Sequence, residues 1–223
     1  ANKLSDDVDM SVERARRLAE VENEMGVKAS YYFREKFIGD DVVCIASLGH
    51  EVGYHYEELV TEKGDVDKAY ARFVRNIEKM RQVADVRTIT MHGAPTSRFD
   101  SKDMWRVYDY KKLGLIGEPQ IDVDWSEMFY LTDTGRSWNG VSRRDKVVEF
   151  KLIWEAKGWV YKTTDDVIKA VRNGSFPKRM MMTKTTKTTK TVKTIMAIRV
   201  MPVIAMRETV MTCLSVASFF RMP

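Results

Sequence analysis

The chain has 223 residues with a formal net charge of +5, 44% hydrophobic and 31% charged residues, and two cysteines. That length suits one well-buried domain of roughly 100–200 residues with an appendage. It contains no apolar run of the ~18 residues a membrane span needs, and Cys44 and Cys213 supply neither a disulfide framework nor paired metal-ligand spacing. With so few cysteines a reducing, cytoplasmic setting is expected. From Lys184 onward seven basic residues stand against Glu208 alone, so residues 1–183 carry about −1 and the basicity belongs to the end of the chain.

Asp6, Asp7 and Asp9 precede a segment, Ser11 to Met25, whose apolar residues recur at helical spacing. Ser11 can cap that helix and Gly26 can close it. Val27 to Phe33 is β-branched and aromatic and predicts a strand. A short helix through Ile45 and Leu48 ends at Gly49, and His50 to Tyr56 predicts the next strand. Asp65 to Val83 places Val66, Ala69, Phe73, Ile77 and Met80 three or four apart, the clearest amphipathic helix in the chain. Arg87 to Met91 predicts a strand ending at His92. Ile116, Ile121 and Val123, Met128 to Leu131, Lys146 to Ile153 and Arg179 to Thr183 predict further strands, and Thr164 to Val171 a helix closed by Gly174. Strands alternating with helices imply an α/β domain with a largely parallel sheet or barrel. Beyond Met182 a Thr-Lys run leads into a segment with Glu208 as its one acid and no turn chemistry, so residues 184–223 are expected to lie outside the domain, as a disordered basic tail or the product of a shifted frame.

The three histidines, His50, His55 and His92, all fall in 43 residues, each expected at or near the carboxyl end of a strand. In parallel α/β folds the carboxyl edge of the sheet is where sites are built. Each histidine alone is more often structural than a ligand, and an aspartate before a helix is most often a cap. Three aspartates in four residues exceed what a cap needs, and their placement with the histidines points to a metal-assisted hydrolase. A second pair, Asp122 and Asp124, precedes Trp125.

The motifs LSDDVDMS, LGHEVGYHYEEL, TMHGAP and IDVDW followed by FYLTDTGRSW make residues 4–183 resemble the polysaccharide deacetylases (NodB-like), in a degenerate branch with an Asp-Val-Asp first motif. The resemblance implies a distorted (β/α) barrel that need not close, one divalent metal, usually zinc, and removal of acetyl groups from N-acetylated sugars. Carried across by motif, Asp7 is the catalytic base and Asp9 a metal ligand, although Asp6 with Asp7 is an equally literal match, and the assignment within the trio stays open. His55 matches the first histidine ligand and His50 a structural histidine. The second ligand position is Leu59, which leaves Glu57 or Glu58 to substitute; Glu58 is the expected ligand. His92 and Pro95 fall in a motif that shapes the substrate groove, while Asp124 supports the catalytic groups and Trp125 lines the pocket with Tyr130.

In such a site a metal polarises water and substrate carbonyl, a carboxylate takes the proton, and an acid protonates the departing amine. The resemblance places that last group, a histidine, near the end of the strand at 179–183, where this chain enters its Lys-Thr run. A metal-dependent carbohydrate deacetylase or related amide hydrolase, impaired or inactive in this form, is therefore the expected function. The alternative is a non-catalytic carbohydrate binder whose groove is lined by Tyr54, Tyr56, Trp125, Tyr130 and Trp138. Nucleic acid is not the expected partner, since basic residues of the tail carry no specificity by themselves.

Overall fold

A computed structural model describes residues 3–8, 11–94, 96–132, 138, 149–178 and 180–185. Six strands, β1 (Lys3–Val8), β2 (Ser30–Phe33), β3 (Glu51–Tyr56), β4 (Ile89–Met91), β5 (Phe129–Thr132) and β6 (Met180–Thr185), form one sheet in the order β4-β3-β2-β1-β6-β5. Every pair is parallel. The result is a half-barrel of the α/β class, open between β4 and β5 among the described residues.

The helices are α1 (Val12–Glu24), α2 (Asp40–Ser47), α3 (Glu58–Thr61), α4 (Val66–Arg81), α5 (Pro119–Asp122), α6 (Lys151–Ala156) and α7 (Thr164–Arg172). Their starts are written locally. Ser11 accepts from the N–H of Arg14 at 3.3 Å, Asp65 from Lys68 at 3.0 Å, and Thr163 with Asp166 forms a reciprocal capping box. The apolar stripe of α4 buries Ala69, Phe73, Ile77 and Met80 against the sheet. Each large member of that stripe contributes about 1.5–3 kcal/mol over an exposed position. Phe129 of β5 is the corresponding anchor at the other end, ringed by Trp154, Trp159, Tyr161 and Phe176 with centroids 5.4 to 6.3 Å away.

Three expectations need correcting. His50 precedes β3 and so stands at the amino end of that strand. Its Nδ1 accepts from the Ala29 N–H at 3.2 Å, which leaves Nε2 to donate to the Ala19 carbonyl at 2.9 Å, a buried structural role. Residues 151–153 belong to helix α6, whose inward residue is Trp154, with Leu152 and Ile153 exposed. Residues 116–123 make only a bridge between Thr88 and Gly117 before turning into α5, because Glu118 and Pro119 bend the chain off the sheet after one contact. Strand β6 continues through Lys184 and Thr185, past residue 183; residues 186–223 lie outside the described residues.

The sheet closes over Gly53. The Tyr32 ring crosses β3 at that point, and a Cβ on Gly53 would overlap the ring and sit 2.9 Å from the Thr88 carbonyl oxygen. Backbone on one side and a buried ring on the other leave little room to relax. Gly53→Ala is expected to destabilise the fold by about 1–3 kcal/mol in denaturant unfolding, whereas Gly93→Ala, which meets nothing within 4 Å, should be close to neutral.

Candidate functional site

Pairing registers sort the acidic residues of β1. Asp7 is paired with Tyr32, and Tyr32 with Gly53. Two residues on from Gly53 the alternation of a strand returns to the same face at His55. Asp7 and His55 thus belong to one face of the sheet, separated laterally by β2. Asp6, paired with Tyr31, belongs to the other face, where the Tyr31 hydroxyl donates to buried Glu22 at 2.7 Å. Asp9 and Pro95 lie outside the described residues.

His55 and His92 come together at the carboxyl ends of β3 and β4. The buried His55 donates from Nδ1 to the Thr90 carbonyl at 3.1 Å, so its Nε2 is the acceptor for His92 Nδ1, also at 3.1 Å. The rings meet edge to face, with centroids 5.0 Å apart. His92 Nε2 then faces Glu57 Oε2 at 3.7 Å, and the other oxygen of Glu57 takes the Arg34 guanidinium. One line thus runs from a backbone carbonyl through two imidazoles to a paired carboxylate. It borders a cavity of about 250 Å³ whose lining includes Arg34, Tyr54, His55, Glu57, Glu58 and Arg72. The position, outside the carboxyl ends of parallel strands, is where such folds bind ligands.

Other expected members stand elsewhere. Glu58 is buried and gives its oxygens to Tyr54, Asn76 and the Glu57 N–H, so the carboxylate beside the histidines is its neighbour Glu57. Asp124 is exposed and closes a turn through the N–H and hydroxyl of Ser126, at 3.0 and 2.6 Å. Trp125 is buried edge-on to Tyr130 of β5, centroids 5.4 Å apart; three strands separate β5 from β3. Tyr54 and Tyr56 pack in the core against Phe73; Tyr54 also borders the cavity, with its hydroxyl given to Glu58, whereas Tyr56 is not part of the cavity lining. Among the described residues no three His, Cys, Asp or Glu side chains are arranged to hold a metal ion, so the donors His55 and Glu58 do not by themselves fit one.

Glu118 was not foreseen. The N–H groups of Ile89 and Met91 point off the open edge of β4. Gly117 supplies a carbonyl to the first at 3.1 Å, and the Glu118 carboxylate supplies Oε1 to the second at 3.1 Å. A side chain here does what the next strand's backbone would do in a longer sheet. Its other oxygen is buried with no hydrogen-bond partner among the described residues. Burial pushes its carboxyl up to about 7, against the Met91 N–H and the Lys102 ammonium, which pull it down. Nothing in the local sequence announces this role, because it depends on where the sheet stops.

The comparisons with known proteins agree on architecture. A family 4 carbohydrate esterase from Streptomyces lividans, in complex with acetate, superposes with a TM-score of 0.53 at 14% identity, covering 88% of this chain and 84% of that one. The catalytic domain of a peptidoglycan N-acetylglucosamine deacetylase from Eubacterium rectale gives 0.51 at 17% identity, covering 88% and 81%. A CE4 family pseudoenzyme from Bacillus anthracis gives 0.50 at 12% identity over 97% of this chain, which spans 60% of the pseudoenzyme's length. No protein-family model and no curated protein matches the sequence. The chain therefore has the fold of the CE4 polysaccharide deacetylases, a fold on which both enzymes and pseudoenzymes are built.

The raised Glu118 carboxyl sets a pH dependence. A folded value near 7 against an unfolded one near 4.5 means its contribution is complete below about pH 4.5 and lost as pH rises through 7. Glu118→Gln mimics the protonated acid. The stability difference between variant and wild type, from denaturant unfolding at pH 4.5 to 8, should move in the variant's favour by about 3 kcal/mol. A flat difference across that range would contradict the buried-acid assignment.

Proposed function

We propose that the chain is a deacetylase-like protein acting on N-acetylated carbohydrate, with hydrolysis impaired or absent in this form. The observation that carries the reading is the line from His55 through His92 to Glu57 beside a cavity at the carboxyl edge of a CE4-type sheet. Asp7, on the face that also carries His55, is the proposed base, taking a proton from an attacking water. His55, its tautomer held by the Thr90 carbonyl, and His92, oriented toward Glu57, position the amide. Impairment is supported at the other side of β1, where β6 pairs Thr185 with Asp7: the described strand, Met180–Thr185, contains no histidine to protonate a leaving amine.

A divalent metal, zinc first, is the cofactor this reading calls for, with His55 and Asp9 as its proposed ligands. Glu58, the remaining ligand expected from the sequence, is committed to Tyr54 and Asn76, so no step is assigned to a metal. His92, Pro95, Trp125 and Tyr130 are proposed to contact the sugar, and Asp124 to support the catalytic groups. For the non-catalytic alternative the aromatic support is thinner than the sequence implied, since Tyr54 and Tyr56 are committed to the core.

The test combines metal content with acetate release from N-acetylglucosamine oligomers. Zinc, cobalt or nickel is expected to bind the wild type and be lost in His55→Ala. Without a general acid, turnover should run about 10²–10⁴-fold below that of a complete enzyme. Absence of bound metal, with none gained on addition, sinks the metal-dependent reading. Oligomer binding with no turnover under any metal selects the carbohydrate-binding one.

A further inference from the structure

Glu58 is 1% exposed and fully engaged. Its Oε1 accepts from the Tyr54 hydroxyl and from Asn76 Nδ2 at 3.0 Å, and its Oε2 accepts from the backbone N–H of Glu57 at 3.0 Å. Asn76 also donates to Glu35 at 2.9 Å, and Glu35 takes Arg72 at 3.1 Å. The network joins β3, the start of α3, the buried side of α4 and the turn at residues 35–37. Burial raises the Glu58 carboxyl even though Tyr54 and Asn76 stabilise its charge, so a carboxylate here is costly and is tolerated only while these donors stay in place.

The network converges on the residue next to Glu58 in the chain. The Glu57 amide is held by the Glu58 side chain, and the Glu57 carbonyl opens α3 by accepting from Val60 and Thr61, both at 3.1 Å. With backbone donor and acceptor both pinned, the Glu57 side chain projects toward Arg34 and His92.

We propose that Glu58 is a positioning residue: it holds the Glu57 backbone so that the Glu57 carboxylate stays in reach of His92 and, through His92, sets the orientation of His55. The inference rests on reading the two histidines as the functional centre, but its physical content is a coupling between Glu58 and the imidazoles that exists whether or not the centre turns over. It also gives Glu58 a use other than metal ligation. A merely structural carboxylate would stabilise the packing of α4 on β3 and leave the imidazoles indifferent to its exact acceptor geometry.

The experiment reads the histidines directly, by ¹⁵N imidazole spectra of the full-length chain at fixed pH. In the wild type His55 should carry its proton on Nδ1 and accept at Nε2 from His92 Nδ1. Glu58→Gln keeps a carbonyl for Tyr54 and Asn76 but turns an amide N–H toward the Glu57 N–H, so it removes the one bond the proposal needs. The expected result is displaced His92 and His55 resonances, reproduced by Glu57→Gln, with no further displacement when both substitutions are combined. Unchanged imidazole resonances in Glu58→Gln, or displacements that add in the double variant, overturn the proposal. Should Glu58→Gln fail to fold, amide exchange in the wild type decides: a Glu57 N–H protected from exchange supports the positioning bond, and one exchanging at the rate of an open loop overturns it. Absent acetate release with these spectroscopic results intact would count against the hydrolase reading alone.

Discussion

The parallel register of β2 between β1 and β3 is the constraint on which the site depends. Because side chains alternate along a strand, a slip of one residue would exchange every inward residue for an outward one. The observed register puts Asp7, Tyr32 and Gly53 in one row and His55 two residues beyond it, while Asp6, Tyr31 and Val52 fill the opposite face. Gly53 protects this register from within. Only a residue without a side chain lets the Tyr32 ring cross β3, so the pairing that makes the face is locked by a contact no other residue type permits.

Around that frame several buried polar groups are satisfied by side chains. Glu51 receives the hydroxyls of Ser30 and Thr88 between β2 and β4, His50 bridges α1 and β2, and Glu118 takes the edge N–H of β4. Each is a carboxylate or imidazole held by hydrogen-bond partners from separate segments of the chain, so each ties those segments together. Glu58 and Glu118 make the contrast sharpest. The first has its oxygens satisfied and serves a neighbouring residue, whereas the second has one oxygen left over and is pushed up to about 7 by burial.

The fold is shared with CE4 deacetylases and with a CE4 pseudoenzyme, and here its sheet edge carries two imidazoles and two adjacent glutamates. Polar chemistry at a sheet edge needs little change to be redirected. Glu57 and Glu58 are adjacent in the chain, yet the first side chain faces His92 after β4 and the second faces Asn76 of α4.

Much of this architecture was legible in the residues. Alternation of helix and strand, the Ser11 cap, the apolar stripe of α4 and the placing of His55 and His92 at strand ends all follow from local rules, since caps, periodicity and strand ends are written within a few consecutive residues. The choice between Glu57 and Glu58 was not legible: both are glutamates at one strand end, and only the place of Asn76 on α4 draws one of them away. Nor could the sequence show that His50 sits at the amino end of β3, that residues 151–153 coil around Trp154, or that Glu118 completes the edge of β4. Local pattern determined which segments would be strands and helices and which of them carry imidazoles. Tertiary structure alone decided which polar groups meet, because these hydrogen-bond partners lie 18 to 35 residues apart and are chosen by register and by where the sheet ends.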